Sequence, residues 1–195
     1  MFVSLEGPDG VGKTTQVALL VERLRAEGHD VLQCREPGGT ELGERVRSLL
    51  LDGQVAIADR AEAMLFAAAR AQIAEEVIRP ALAIGRWVVC DRYIDSSIVY
   101  QGMARGLGVE PIRAASVFAT DDLLPERTIV LHGVDRRGDE PDRIEAAGVD
   151  FHRRVAEGFI ALAGLFPERV RLVDARGARD EVAVRVRAAL DGGKG

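Results

Sequence analysis

The chain has 195 residues, of which 47% are hydrophobic, 29% charged and 5% aromatic. That composition excludes a disordered or fibrous chain and predicts one globular domain, since a domain usually spans roughly 100 to 200 residues. The net charge of −5 and the pI near 5.3 argue against a general nucleic-acid-binding protein, which would carry a basic face. Any anionic ligand must therefore be bound by a local positive site.

The sequence also predicts the compartment. It contains no run of 18 apolar residues, and residues 1–5 lead directly into a strand pattern without a basic segment, so we expect neither a membrane partner nor a secretion signal. Cys34 and Cys90 are too few for a disulfide scaffold, which is typical of a reducing compartment. We therefore expect a cytoplasmic protein.

Short apolar runs of strand length alternate with longer stretches of helical period. In chain order the predicted elements are strand 2–5, helix 14–27, strand 31–34, helices 41–51 and 60–84, strand 87–90, helix 111–119, strand 129–131, helix 151–166, strand 170–173 and helix 179–190. This alternation predicts an α/β fold with a roughly five-stranded parallel sheet and helices on both faces. In such a sheet, ligands bind at the carboxyl ends of the strands. Because no linker interrupts the order, we expect one domain over residues 1–190 and a flexible tail at 191–195.

A glycine-rich segment follows the first strand and opens the first helix. Its residues match the pattern G-x-x-x-x-G-K-[ST], and they are Gly7, Pro8, Asp9, Gly10, Val11, Gly12, Lys13 and Thr14. Glycines let backbone N–H groups converge on a polyphosphate, and the helix N-terminus adds positive potential. Lys13 is predicted to reach the β- and γ-phosphates of ATP, and the Thr14 hydroxyl to ligate Mg²⁺. The segment therefore predicts a P-loop NTPase fold.

Two further segments follow predicted strands and are expected at the same edge of the sheet. The first, Arg35–Thr40, has the sequence R-E-P-G-G-T and forms a tight loop beside the P-loop, although an ordinary strand-to-helix turn accounts for it equally well. The second contains Asp91, which could hold the water shell of a metal, and Arg92, which could bridge transferring phosphates.

Other candidates allow two interpretations. Phe66 and Arg70 are four residues apart on one helix face, so a ring could stack on a base while a guanidinium bonds its carbonyl. Spacing alone favours a core phenylalanine and a solvated or paired arginine. Arg136, Arg137 and Arg143 lie in a loop containing Gly and Pro, and they could close over a phosphate chain, although spacing alone favours solvated side chains.

Five segments in a fixed order span nearly the whole chain. They are Leu5–Thr15 (LEGPDGVGKTT), Arg35–Thr40 (REPGGT), Phe66–Arg70 (FAAAR), Asp91–Tyr93 with Ser96, Ser97 and Tyr100–Gly102, and Asp142–Glu145 (DRIE). Together these segments resemble the bacterial thymidylate kinase family, and R-E-P-G-G-T with D-R-Y is specific to it among nucleotide kinases. The resemblance implies Mg²⁺-dependent transfer of the ATP γ-phosphoryl group to dTMP, giving dTDP and ADP for dTTP synthesis. It also implies a homodimer and small-molecule substrates rather than nucleic acid.

The resemblance implies roles for residues around the phosphates. The P-loop would hold ATP, with Asp9 facing the sugar and phosphate of the acceptor nucleotide. Arg92, together with the loop at Glu36 and Pro37, would position the acceptor phosphate, and Arg47 would assist.

It implies further roles around the nucleoside. Phe66 would stack on thymine while Arg70 bonds a carbonyl of the base. Ser97 and Gln101 would border the base edge. Tyr100 would crowd the 2′ position of the sugar and so disfavour ribonucleotides.

The family places its catalytic arginine either in the P-loop or in a lid. Here the relevant P-loop position is Gly10, so the lid, expected at about residues 133–148, must supply the charge through Arg136, Arg137 or Arg143. In phosphoryl transfer such an arginine can be worth roughly 10³ to 10⁵ in rate.

The approach to this lid departs from the family pattern. The family normally has a helix of about ten residues, a usual helix length, between the fourth strand and the lid. In this sequence residues 129–135 run directly to Arg136, so either the chain has lost that helix or the sequence lacks part of it.

Two rival functions come from other classes. A regulatory GTPase would need an N-K-x-D segment to bind guanine. The chain contains no asparagine, which excludes the usual form of that function. A catalytically weak relative that only binds nucleotide stays open because of the short approach to the lid.

Overall fold

The computed structural model describes residues 1–134, 143–144 and 147–191. Its strands all run parallel, in the spatial order β2-β3-β1-β4-β5. They are β1 (Phe2–Glu6), β2 (Val31–Arg35), β3 (Trp87–Asp91), β4 (Arg127–His132) and β5 (Val170–Asp174). Each predicted strand is present and extends by one or more residues. The α/β prediction is therefore confirmed.

Helices connect the strands and cover both faces of the sheet. They are α1 (Lys13–Ala26), α2 (Glu41–Leu51), α3 (Asp59–Ile73), α4 (Arg79–Ala83), α5 (Ile94–Ser97), α6 (Val109–Thr120), α7 (Val149–Leu165) and α8 (Arg179–Asp191). Helix α8 reaches one residue into the predicted tail, and residues 192–195 lie outside the described part. Within the described residues, no helix is both long and apolar enough to span a membrane.

Side-chain alternation along the strands divides the core into two layers. On one face Val3 and Leu5 of β1 pack with Leu20 and Leu24 of α1 and with residues of α8. On the other face Phe2 packs in a layer with residues of α3, α5 and α7. The sheet is thus buried on both sides, as a parallel sheet requires.

The predicted helix over residues 60–84 is interrupted. It begins as α3, passes through a π-helical turn at Ala74–Ile78 and continues as α4. Pro80 lies in the first turn of α4 and has no backbone N–H to donate to the preceding turn. A π-helical turn accommodates such a missing hydrogen bond without ending the helix.

One helical segment was not predicted. Helix α5 continues as a π-helical stretch at Ile98–Ala104, directly after β3. Ile94 and Ile98 are four residues apart and fully buried, which is the helical signal in this stretch. This segment carries Ser97, Tyr100 and Gln101 to the edge of the sheet where β3 ends.

Candidate active site

The P-loop connects the end of β1 to the start of α1. Gly7 has a φ of 138°, and a Cβ built there would lie 2.4 Å from the backbone carbonyl oxygen of Leu131, so only glycine fits. Gly12 precedes α1 with a φ of 98°, and no described side chain caps this helix N-terminus. The backbone N–H groups at the start of α1 therefore remain available to an anion.

Lys13 extends along the P-loop. Its Nζ donates a hydrogen bond of 2.6 Å to the carbonyl oxygen of Pro8 and lies 4.0 Å from Oδ1 of Asp9. Burial, aided by the positive charge of Arg92, lowers the pKa of Lys13 from 10.5 to about 7. A phosphate group bound beside Nζ would favour the charged form again.

The two predicted metal-holding side chains lie together. The Thr14 hydroxyl donates a hydrogen bond of 2.8 Å to Oδ2 of Asp91, which ends β3. Mg²⁺ prefers oxygen ligands and keeps several of its waters. A hydroxyl and a carboxylate beside the phosphate-binding loop fit that requirement.

Arg92 joins the P-loop to the segment after β3. It adopts a left-handed backbone conformation, with a φ of 68°, which is uncommon for a residue with a side chain. Its Nη1 donates to the carbonyl oxygen of Gly7 at 3.0 Å and to the Ser96 hydroxyl at 2.9 Å. Its Nη2 donates to Oδ1 of Asp9, and the Tyr100 hydroxyl donates to Oδ2 of the same carboxylate at 2.6 Å.

Charge keeps Asp9 ionised in this network. Burial alone would raise its pKa, but the positive charges of Arg92 and Lys13 outweigh burial and lower the pKa of Asp9 from 3.8 to about 2. The pKa of Arg92 is raised: burial opposes this, but the surrounding Tyr100 and Asp9 outweigh it. An ion pair between Asp9 and Arg92 therefore joins the P-loop to the turn after β3, and the Tyr100 hydroxyl adds a hydrogen bond from the π-helical segment.

Glu6 of β1 accepts hydrogen bonds from the segment that follows β3. It is fully buried, its Oε1 accepts the backbone N–H of Tyr93 at 2.7 Å, and its Oε2 accepts the Ser96 hydroxyl at 2.5 Å. Burial, together with the negative charge of Asp95, raises the pKa of Glu6 from 4.5 to about 8. Since Ser96 also accepts from Arg92, Glu6 helps to fix the orientation of that guanidinium.

Two adjoining cavities open at this edge of the sheet. The larger, about 850 Å³, is lined by the P-loop, the end of β2, Arg47, Asp91 and Arg92. The smaller, about 100 Å³, is lined by Asp9, Glu36, Pro37, Arg47, Leu51, Phe66, Arg92, Ser96, Ser97, Tyr100, Gln101 and Ile144. Asp9 and Arg92 border both cavities, so a group in one cavity lies next to a group in the other.

Arg70 and Glu36 form a buried ion pair beside the smaller cavity. Arg70 is 1% exposed and its Nη2 lies 2.7 Å from Oε1 of Glu36. The guanidinium also donates to the hydroxyls of Ser97, at 2.7 Å, and Ser116, at 2.8 Å. Burial raises the pKa of Glu36, although Arg70 opposes the shift. Arg70 is thus a paired arginine next to the pocket, one of the two predicted interpretations.

Arg47 lines both cavities, whereas Arg143 lines neither of them and only its neighbour Ile144 borders the smaller one. Arg47 in α2 donates to the carbonyl oxygen of Pro37 at 3.0 Å. Arg143 donates to the carbonyl oxygen of Leu50 at 2.8 Å and to Glu62 at 2.6 Å. The other two predicted lid arginines, Arg136 and Arg137, lie outside the described residues.

The sequence motifs predict no role for Glu6 or Glu62. Glu6 is an ionisable residue at the end of a strand whose residues are all buried, which is unusual for glutamate. Glu62 precedes Phe66 by four residues and therefore shares its helix face. Both signals were present in the sequence.

The fold and this site define the class of the protein: it is a P-loop nucleotide-binding protein, with the phosphate-binding loop at the carboxyl end of the central strand of a parallel sheet. The sequence model of the thymidylate kinase family matches residues 5–186. The chain belongs to the thymidylate kinase family.

Individual relatives agree with this assignment. Thymidylate kinase from Deinococcus radiodurans is 47% identical over 197 residues, covering 97% of this chain and 96% of its own. Thymidylate kinase from Caldanaerobacter subterraneus subsp. tengcongensis is 48% identical over 189 residues, covering 94% and 90%. The crystal structure of thymidylate kinase from Ehrlichia chaffeensis superimposes with a TM-score of 0.83 at 33% identity, covering 97% of this chain and 98% of that one. None of these matches favours a weak, merely nucleotide-binding relative.

Proposed function

We propose that the protein transfers the γ-phosphoryl group of ATP to dTMP, forming dTDP and ADP for dTTP synthesis. The observation that carries this proposal is the Asp9–Arg92–Tyr100 network, which joins the phosphate-binding loop to the cavity beside Phe66. A kinase of nucleoside monophosphates needs its donor and acceptor phosphates adjacent and in line. The family provides the identity of the acceptor.

On the donor side, the P-loop backbone and Lys13 bind the phosphates of ATP. The start of α1 has no side-chain cap and lines the larger cavity, so its N–H groups would bind phosphate there, and the ammonium of Lys13 would provide a point charge for the β- and γ-phosphates. Thr14 and Asp91 would hold Mg²⁺, which supplies charge neutralisation on the β- and γ-oxygens when bound.

On the acceptor side, Arg92 and Arg47 border both cavities and would bind the phosphate of dTMP. The Phe66 ring stacks on thymine, and Arg70, held by Glu36, donates to a carbonyl oxygen of the base. The Tyr100 hydroxyl is held by its hydrogen bond to Asp9, and in this proposal it crowds the 2′ position of the sugar and disfavours ribonucleotides. Ser97 and Gln101 border the base edge.

A lid over residues 133–148 completes the site in this proposal. Arg136, Arg137 or Arg143 would stabilise negative charge on the transferring phosphoryl group. Closure of the lid would exclude water, which otherwise competes as an acceptor. The lid belongs to the single kinase domain over residues 1–190.

We also propose that the enzyme is a cytoplasmic homodimer. Met64 of α3 is 52% exposed and Phe118 of α6 is 89% exposed, and these two helices pack against each other. A second copy of the chain would cover these side chains. Cys34 and Cys90 are free thiols in the structure, as a reducing cytoplasm would keep them.

ADP release tests the proposed function. The protein is assayed with ATP and Mg²⁺ against dTMP, dUMP, dCMP, dGMP, AMP and no acceptor. Release with dTMP should far exceed release with the other acceptors. No release with any acceptor, despite measurable ATP or dTMP binding, would contradict the proposal and favour a binding protein.

A further inference from the structure

The buried carboxylate of Glu62 accepts hydrogen bonds from three side chains. Its side chain is fully buried in α3, and its Oε1 accepts the side-chain amide of Gln101 at 2.9 Å. Its Oε2 accepts Nη2 of Arg143 at 2.6 Å and Nη2 of Arg105 at 3.2 Å. A catalytic role for Glu62 would need contact with substrate, but it does not line the cavity that Gln101 borders.

The charge of Glu62 determines how Gln101 is oriented. Burial acts to raise the pKa of Glu62, but the hydrogen bonds from Gln101 and Arg143 and the positive charge of Arg105 outweigh burial and lower it. An ionised carboxylate only accepts hydrogen bonds, so Gln101 must present its NH₂ group to it. The carbonyl oxygen of Gln101 then lies on the other side of the amide, and no described residue donates to it.

The nucleobases differ in what they offer to such a carbonyl. Thymine and uracil carry a hydrogen at N3 and donate there, whereas cytosine has an unprotonated N3 that only accepts. A Gln101 carbonyl that is held facing N3 would accept the N–H of thymine or uracil, but it would face a second acceptor in cytosine. An unpaired buried polar group costs more than an ordinary hydrogen bond gains.

We propose that Glu62 is a positioning residue for acceptor choice: it fixes the amide of Gln101 so that the site accepts bases that donate at N3 and rejects cytosine. This inference rests on the proposed function and on Gln101 bordering the base. Glu62 acts through Gln101 and touches no substrate itself.

The contacts of Glu62 with Arg143 and Arg105 can be separated from this role. A change in how the lid is held would alter turnover for every acceptor alike. A change in the orientation of Gln101 would alter only the preference between bases that differ at N3. The ratio of kcat/KM for two acceptors therefore isolates the amide.

The test is Glu62→Gln, a nearly isosteric change that removes the charge and lets both amides rotate. We expect the ratio of kcat/KM for dTMP over dCMP to fall by about tenfold, the size expected when one buried polar contact is no longer enforced. The ratio for dTMP over dUMP should not change, because both bases donate at N3. Asp59→Asn is the matched control, since Asp59 lies on the same helix, is half-exposed and is 3.6 Å from Arg105.

A second variant guards against a purely structural effect. Gln101→Met should lower the dTMP over dCMP ratio by itself, and adding Glu62→Gln in that background should change it no further. A wild-type preference for dTMP over dCMP that Glu62→Gln retains would overturn this inference and leave the proposed function standing. A wild-type protein that phosphorylates no acceptor would instead contradict the proposed function.

Discussion

Lys13 is a buried lysine in the P-loop, and in the proposed reaction its ammonium form contacts the β- and γ-phosphates of ATP. Removing it in Lys13→Ala deletes the contact with the β- and γ-phosphates, so kcat should fall by about 10² to 10³, as when one donor to a developing charge is lost. ADP release at saturating dTMP measures the change. Lys194→Ala, at the chain's other lysine, is the control. Near-normal turnover in Lys13→Ala would refute the role.

Arg70 contributes both to the pocket and to stability. Arg70→Ala should raise the KM for dTMP more than the KM for ATP, because Arg70 lies beside the acceptor cavity and not beside the P-loop. It also leaves Glu36 buried without its partner, which costs about 3 to 5 kcal/mol in unfolding free energy. Steady-state kinetics and urea unfolding separate the two effects. Arg60→Ala, at an exposed position of α3, should change neither, and equal increases of both KM values would show that Arg70 does not read the base.

Glu6 makes stability depend on pH. Its pKa is about 8 in the folded protein and 4.5 in its ordinary state, so the folded protein binds the extra proton between these values. The stability that this proton contributes is present in full below pH 4.5 and is lost as the pH rises through about 8.

Glu6→Gln should remove this dependence, because an amide does not titrate. The unfolding free energy of the wild type should fall relative to Glu6→Gln between about pH 5 and pH 9, by about 1.4 kcal/mol for each unit of pKa difference. Urea unfolding at several pH values measures it. Parallel curves for the two proteins would mean that the pKa of Glu6 is not raised in the folded protein.

For single residues, the sequence predicted the chemistry of a side chain better than the residue that it contacts in the fold. Lys13 and Thr14 could be assigned from a local pattern, because their roles depend on neighbours along the chain. The pairing of Arg70 with Glu36 could not, because the fold alone brings helix α3 and the loop after β2 together. The same applies to Glu62, whose three donors come from distant positions.

Among the elements, the strands were predictable and one helix was not. A strand buried on both faces is a nearly continuous apolar run, which is easy to recognise in a sequence. The segment from Ile94 to Ala104 mixes buried polar and apolar residues because it lines the site, and its π-helical geometry shifts the helical period. Its pattern therefore resembled a turn after β3.

One buried ion pair joins helix α5 to the residue that precedes the edge strand β5. Asp95 of α5 accepts from both terminal nitrogens of Arg169, at 2.6 and 2.8 Å, just before β5. Asp95→Asn leaves the arginine charge buried without its partner, so the unfolding free energy should fall by about 3 to 5 kcal/mol. Urea unfolding measures the loss.

Asp121→Asn is the matched control, because Asp121 is 94% exposed in its pair with Arg79. An exposed pair contributes only about 0 to 1 kcal/mol, so this variant should unfold almost as the wild type does. Equal losses in the two variants would mean that burial does not determine the strength of the Asp95 pair.

For the whole molecule, the exposed side chains of α3 and α6 predict where a second copy binds. Phe118→Glu places a charge on that surface and should convert the proposed homodimer to a monomer, as measured by light scattering after size-exclusion chromatography. Val184→Glu in α8, at a side chain 70% exposed elsewhere on the molecule, should leave the dimer intact. A monomeric wild type, or a dimeric Phe118→Glu, would contradict this surface.

The first strand of the chain is also the central one, since β1 pairs with β3 on one side and β4 on the other. During synthesis from the N-terminus, the apolar side chains of β1 are made first but cannot pair until residues 87–91 and 127–132 have left the ribosome. Until then the P-loop has no neighbouring strands to support it. Nucleotide binding is therefore a property of the completed sheet, and a bound nucleotide stabilises the whole chain against unfolding rather than one part of it.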